Sequence, residues 1–255
     1  MIFKQSAIIL KAIDYSNTSK IFTLFTPEYG KVGLIAKGLK RKKNPYQGGM
    51  QILNCINIIY YKKKNSNLGI FKECEIKNYF SPLRCDLSKL FIALYWLELM
   101  NEVIVEEESS FDLFQLLYYA LYKLSNDTLN FNLIFYVQWH TIRLIGVAPI
   151  IDYCINCKIN PNHFKRNIFF SFEKGGWLCP SCKQKNPLTN CISVKKNTLN
   201  NIKLMTTNKN LSLEQNILTK QEYLELNFFF SFYLRNILNK NLRLNRYIKN
   251  IFYSL

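Results

Sequence analysis

The chain has 255 residues, with 34 Lys and Arg against 17 Asp and Glu, a formal net charge of +17. Its hydrophobic content of 49% suffices for a packed core and excludes wholesale disorder, and no apolar run reaches the roughly 18–20 residues of a membrane span. So large a cationic excess points to a polyanionic partner. The charge is also segregated. Residues 1–79 carry 14 cations and 4 anions, 80–153 carry 4 and 9, and 154–255 carry 16 and 4. Uniform lysine enrichment from base composition does not produce that change of sign.

The N-terminal "MIFKQSAIILKAIDY" alternates like a strand and lacks a small-residue cleavage site, so it is not expected to be a signal peptide. "SAIILKAIDY", "SKIFTLFT", "KVGLIAKG", "QILNCINIIYYKKK" and "IFKECEIKNYF" read as five strands, separated by turns such as "PEYGK" and "NSNLG". Five short strands in about 80 residues fit a five-stranded barrel of the OB type, with an SH3-like barrel as the competitor. From Asp86 the apolar period becomes helical: Leu87, Leu90, Phe91, Leu94 and Leu97. Asp86 or Ser81 is the expected cap. "SSFDLFQLLYYALYKL" is a second helix with Ser110 as N-cap, and "FNLIFYVQWHTIRLIG" a third, ended by Gly146 before Pro149. His140 on that helix is expected to be a hydrogen-bonded core residue, and Glu106–Glu108 a solvated helix end.

Residues 152–191 interrupt the helical pattern with a β-like "IFFSF" and a turn at "KGG". Helical periodicity returns near "SVKKNTLNNIKLM" and runs through residues 219–252, where the 3- and 4-residue spacing predicts Lys240, Arg243 and Arg246 on one face. The fold class is therefore α+β in two domains. Residues 1–79 form the barrel, and 80–255 a helical domain carrying a cysteine module at 152–191.

The strongest local signal is Cys154-x-x-Cys157 and Cys179-x-x-Cys182, 21 residues apart. Two such turns brought together by a hairpin, here "IFFSFEKGGWLC", complete a tetrahedral four-cysteine site for zinc, with an iron–sulfur cluster the lesser option. Four thiolates leave no position for water, so the metal is read as structural. His163 is a weaker alternative ligand. The zinc-deaminase pattern fails because Leu178 precedes Cys179 and no H-x-E accompanies it. Phosphate-cradling, dinucleotide-binding and H-E-x-x-H motifs are absent from the sequence, so no catalytic residue is assigned and the chain is not expected to be an enzyme.

Five cations fall within seven residues: Lys37, Lys40, Arg41, Lys42 and Lys43, with Tyr46 nearby. Lys62, Lys63 and Lys64 end the fourth strand beside Tyr60 and Tyr61. Cations next to rings suit a nucleic-acid groove, where cations track phosphates and rings stack on bases. On a small barrel both loops are expected to line one groove.

"DYSNTSKIFTLFTPEYGKVGLIAKGLKRKKN", "EIKNYFSPLRCDLSKLFIALYWLELMNE", "LIGVAPIIDYCINC", "FFSFEKGGWLCPSC" and "FYLRNILNKNLRLNRY" resemble, in order, the bacterial DNA repair RecO family. The resemblance implies an OB domain, then a helical domain holding a zinc module. It implies binding to single- and double-stranded DNA, annealing of complementary strands, and work with RecR to load RecA on single-stranded DNA. RecF is an optional further partner, and the place of action is the bacterial cytoplasm, at the nucleoid. Lys37, Lys40 and Arg41 fall in the family's basic loop. Cys154, Cys157, Cys179 and Cys182 fall on its zinc ligands. The helical domain is where the acidic tail of the single-stranded DNA-binding protein docks, for which Arg235, Lys240, Arg243 and Arg246 are candidates. An RNA-binding or ribosome-associated protein with an OB barrel and zinc ribbon is the alternative reading.

Overall fold

Five strands open the chain: β1 (Ile2–Asp14), β2 (Lys20–Thr26), β3 (Gly30–Ala36), β4 (Cys55–Tyr61) and β5 (Leu68–Asn78). The computed structural model describes residues 1–64, 66–163, 168–185, 191–207 and 218–253. Alternation decides the faces. Phe22, Leu24, Val32, Leu34, Ile56 and Ile58 are buried inside, each worth about 1.5–3 kcal/mol of apolar transfer. β1 pairs with β2 and β4, β2 with β3, and β4 with β5, all antiparallel. A short parallel seam, Gly33–Ile35 against Leu68–Ile70, closes the ring in the order β1-β2-β3-β5-β4. That is the OB arrangement, not the SH3-like one.

Residues 37–54 do not simply connect β3 to β4. Leu39 and Met50 join the barrel core, and Tyr46 and Ile52 pack on it, so this segment plugs one end of the barrel. The expected strand from Gln51 starts at Cys55 instead, because Gln51–Asn54 is a turn held by Asn54 N donating to Gln51 O.

Three helices follow: α1 (Ser81–Cys85), α2 (Leu87–Val103) and α3 (Phe111–Asn126). Asp86 caps α2, accepting from Lys89 N at 3.0 Å. Ser110 precedes α3 but makes no capping hydrogen bond; its hydroxyl donates to Glu108 O instead. α2 is apolar nearly all round, as befits a helix covered on several sides. Phe114 of α3 meets Phe25 of β2 edge-on at 5.3 Å. The barrel and these helices form one compact unit, Met1–Leu129, whereas the sequence pattern divides the chain at residue 79.

Glu106–Glu108 are exposed just past the end of α2, but their backbone is held. The segment after α2 lies along the β2–β3 turn: Lys31 N donates to Val105 O at 3.2 Å, Glu107 N to Tyr29 O at 3.1 Å, and Ser110 N to Pro27 O at 3.0 Å. Gly30 makes this strap possible. It sits at φ +55, and a Cβ there would lie 2.3 Å from Val105 O and 2.5 Å from Glu108 O. Gly30→Ala is therefore expected to destabilise this unit by roughly 2–4 kcal/mol, from left-handed strain plus displacement of the strap. Urea unfolding followed by circular dichroism checks this; an unchanged midpoint would contradict it.

The second unit, Asn130–Leu255, begins with α4 (Asn132–Leu144). α4 ends as expected at Gly146, with φ +77. Gly146 N donates to Arg143 O and Val147 N to Ile142 O, both at 3.0 Å, the two bonds of a Schellman cap. Next come β6 (Ile168–Ser171), β7 (Gly176–Leu178), α5 (Pro180–Lys185), β8 (Cys191–Val194), α6 (Lys196–Thr207), α7 (Lys220–Leu238) and α8 (Asn245–Tyr253). β8 pairs along β6, so Ser193 and Val194 belong to a strand and not to the expected helix. Thr219 and Glu222 form a capping box that starts α7. Phe135, Tyr223, Phe230 and Phe252 stack into an aromatic core between α4, α7 and α8. His140 lies against Tyr136, ring centroids 4.1 Å apart. Burial, with Arg143 nearby, lowers its pKa to about 4. Its Nε2 is buried and has no hydrogen-bond partner among the described residues, unlike the satisfied histidine expected.

Candidate nucleic-acid interface and metal centre

The basic loop is held from beneath. Gly38, at φ +67, turns the chain after Lys37, and Arg41 N donates back to Gly38 O at 3.2 Å. Asn44 Nδ2 also reaches Gly38 O, and Gln47 Nε2 donates to Arg41 O at 2.7 Å. Buried Asn54 donates to Gly48 O and Gly49 O, each at 2.9 Å, and its own Oδ1 accepts from Arg84 Nη2 at 2.8 Å. The loop is thereby tied to α1, with Lys37, Arg41, Lys42 and Lys43 exposed above it.

Lys40 behaves differently. Its Nζ donates to Asp14 Oδ2 at 3.0 Å, its backbone N to Thr18 O at 2.9 Å, and Lys20 approaches the same carboxylate at 3.6 Å. The Lys40 hydrogen bond holds the Asp14 carboxyl below the usual range, despite some desolvation. Lys40 therefore fastens the loop to the end of β1, and part of its charge is answered locally.

The second cluster is not next to the first. Ala36, opposite Lys20, marks the loop end of the β2–β3 ladder, while Tyr61, opposite Ile2, puts Lys62–Lys64 near the β2–β3 turn. The seven residues of β3 span about 20 Å, so the two clusters bracket the barrel instead of adjoining on one rim. Phosphates repeat at about 3.4 Å per strand of duplex, which makes that span about six phosphates. Lys62 Nζ donates to Glu107 Oε1 at 2.7 Å, and this bond holds the Glu107 carboxyl below its ordinary pKa. Lys63 and Lys64 are exposed and make no ion pair among the described residues.

Tyr61 is exposed at the end of β4 beside Lys62, but the other two rings are arranged otherwise than expected. Tyr60 is in the core, its hydroxyl accepting from Gln5 Nε2 at 2.7 Å, and burial raises its pKa to about 12. Tyr46 meets Phe71 edge-on at 5.4 Å. Across the outside of the sheet runs an aliphatic row, Ile13 opposite Ile21, Ile21 opposite Ile35, and Ile35 opposite Ile70. Tyr61, 41% exposed, continues that row opposite Ile70, so the face carries a ring beside Lys62.

In the second unit the four predicted cysteines converge, their Sγ atoms all within 4.8 Å of one another. Cys157 and Cys179 Sγ are 3.7 Å apart, against about 3.8 Å for two sulfurs on a tetrahedral metal with 2.3 Å bonds. The hairpin does this. β6 and β7 pair Phe169 with Leu178 and Ser171 with Gly176, with Gly175 at φ +60 in the turn. Ile155 N donates to Trp177 O at 3.0 Å, laying the first C-x-x-C turn on β7. Backbone amides point at the sulfurs, Cys179 N to Cys154 Sγ and Cys182 N to Cys179 Sγ, each at 3.4 Å. Burial opposes ionisation of Cys154, but hydrogen bonds from Cys157, Cys179 and Asn156 outweigh it and bring the thiol down to about 7. Desolvation and the neighbouring thiols push Cys182 up to about 12. Four soft donors crowded this closely cannot all ionise without a cation among them, so the set fits a metal ion. His163 and Cys191 are outside the cluster.

Lys240, Arg243 and Arg246 are not on one helical face. Asn239, at φ +53, ends α7. Arg235 is on α7, Lys240 and Arg243 lie in the turn, and Arg246 is on α8 with its guanidinium 4.8 Å over the Tyr247 ring.

A family profile described as recombination protein O N terminal matches residues 1–80, and its C-terminal counterpart matches 84–243. The chain belongs to the recombination protein O family. Among similar proteins, each named DNA repair protein RecO, that of Syntrophus aciditrophicus is 24% identical over 240 residues, covering 94% of this chain and 92% of its own length. That of Halalkalibacterium halodurans is 31% identical over 73% of this chain and 71% of its own, and that of Salinibacter ruber 34% over 59% and 58%. Two features of this RecO-family chain escaped the sequence reading: the Asn54–Arg84 anchor and the Lys62–Glu107 pair. Both join residues 30 or more positions apart, and no local pattern marks them.

No helix among the described residues is long and apolar enough to cross a membrane.

Proposed function

We propose that the protein is a non-catalytic recombination mediator that binds single- and double-stranded DNA, anneals complementary strands, and acts with RecR in loading RecA. Exposed cations presented at both ends of an OB barrel, on a chain of this family, carry the reading. Lys37, Lys40, Arg41, Lys42, Lys43 and Lys62–Lys64 neutralise phosphate. Two strands whose charge is answered on one protein repel each other less, and their bases find partners. Cys154, Cys157, Cys179 and Cys182 hold one structural zinc ion, which keeps the hairpin module folded and takes no part in DNA chemistry. The α7–α8 turn, with Arg235, Lys240, Arg243 and Arg246, receives the acidic tail of the single-stranded DNA-binding protein. RecF is a further partner where the cell has one, and the setting is the bacterial cytoplasm at the nucleoid.

The test is strand annealing by purified protein, followed by fluorescence of complementary labelled oligonucleotides. Annealing is expected to be accelerated, and to fall towards the spontaneous rate as salt rises from about 50 to 200 mM. Clear preference for structured RNA over single-stranded DNA in competition would overturn the repair reading.

A further inference from the structure

The end of the barrel bearing Lys62–Lys64 is hollow. A pocket of about 280 Å³ opens there, with Phe3, Tyr29 and Tyr60 among its walls and Val32 at its base. The Phe3 and Tyr60 rings stack at 5.1 Å, tilted by only 12°, and Tyr29 stands edge-on to Phe3 at 5.2 Å. Tyr60 and Val32 are fully inside the core, while Tyr29 keeps 37% of its surface exposed. The charged lining comes from Lys62, Lys63, Lys64 and Glu107, with Met1, whose terminal ammonium donates to Lys62 O at 2.9 Å.

We propose that this pocket captures one unstacked nucleobase of a single-stranded DNA segment, while the flanking phosphates stay outside on Lys63 and Lys64. The proposal rests on the DNA-binding reading above and deepens it. The volume lies at the lower end of small-ligand sites, room for one planar ring system and not for a whole nucleotide. The rings supply a flat apolar wall, which every base can use because every base has a π-face. Glu107 makes the division of labour. Its carboxylate takes up Lys62 at 2.7 Å and stands at the pocket edge, where it repels phosphate from the interior and leaves the base as the part that enters. The outer sheet face, with its isoleucine row, offers the exposed ring of Tyr61 at the end of that row. The barrel mouth instead gathers three rings, Phe3, Tyr29 and Tyr60, around one hollow.

The pocket distinguishes single strands from duplex, whose bases remain stacked on one another. Tyr29→Leu removes the exposed ring, keeps apolar bulk, and leaves the backbone bonds of the turn in place. The probe is an oligothymidylate carrying 2-aminopurine at every third position, compared with a blunt duplex at about 50 mM salt. With wild-type protein, 2-aminopurine emission is expected to be quenched on binding. With Tyr29→Leu most of that quenching should disappear and single-strand affinity fall about tenfold, while duplex affinity stays unchanged. Equal losses on both ligands, or no loss on either, would overturn the pocket. Wild-type protein that binds neither form would overturn the DNA reading itself, and the pocket with it. Displacement of the oligonucleotide by a short acidic peptide, with no quenching on DNA binding, would assign the pocket to a protein partner and overturn base capture.

Discussion

Replacing Lys37 and Arg41 together by alanine is expected to weaken binding to DNA of any sequence by roughly 10- to 100-fold at about 50 mM salt. The slope of log affinity against log salt should flatten by about 2 on duplex, since each phosphate no longer neutralised removes about 0.9. Both residues stand clear of the barrel on a loop whose backbone is fixed by Gly38, Asn44 and Gln47. Their loss changes charge without changing shape. Lys40→Ala is the informative companion, because that lysine already engages its ammonium with Asp14 at 3.0 Å. It is expected to alter the salt slope by less than the other two. Salt titrations by fluorescence anisotropy read both results. An unchanged slope in the double variant would remove the loop from the interface.

The second large effect is expected at the cysteines. On the proposed zinc reading, Cys179→Ser should reduce the metal content of the purified protein from one ion per chain to near none and unfold the β6–β7 hairpin with the two C-x-x-C turns. Structural zinc sites contribute folding free energy outright, on the order of 10 kcal/mol or more in isolated fingers. Here the module also leans on its own unit through Phe170, which meets Phe229 edge-on at 4.9 Å, so its collapse exposes the α7 aromatic face. Limited proteolysis should then cut within residues 150–194, while the barrel remains resistant and still binds DNA. Cys191→Ser, outside the cluster, is the matched control and should retain the metal. A zinc-free Cys179→Ser protein with wild-type protease resistance would show that the module does not depend on its ion.

The sequence was most legible where period and punctuation are local. "SKIFTLFT" forms a strand as read, Asp86 caps α2, and Gly146 closes α4. The cysteine cluster was legible because two C-x-x-C pairs announce themselves by spacing. What escaped was set by distant contacts. Nothing near Leu39 or Met50 says that they fill the barrel, and nothing near Glu107 says that it meets Lys62. The helical periodicity read through 219–252 missed a break for a different reason: a strong apolar period hid Asn239. Asparagine tolerates the left-handed conformation that ends α7, so the stop signal was present and outweighed. The strand β8 was lost because four residues beside a helix carry too little pattern, and its pairing partner β6 lies some 20 residues earlier.

The plug formed by residues 37–54 bears on the thermodynamics of binding. A free lysine-rich loop would lose much of its conformational entropy when phosphates fixed it, and that loss would subtract directly from affinity. Here Leu39 and Met50 are 3% and 4% exposed inside the barrel, so the ordering is completed when the protein folds. On the proposed DNA-binding reading, encounter with DNA then has mainly side-chain rotamers left to restrain. The favourable release of counterions is correspondingly undiluted, and a substitution at Leu39, which touches no phosphate, would weaken binding by returning disorder to the cations.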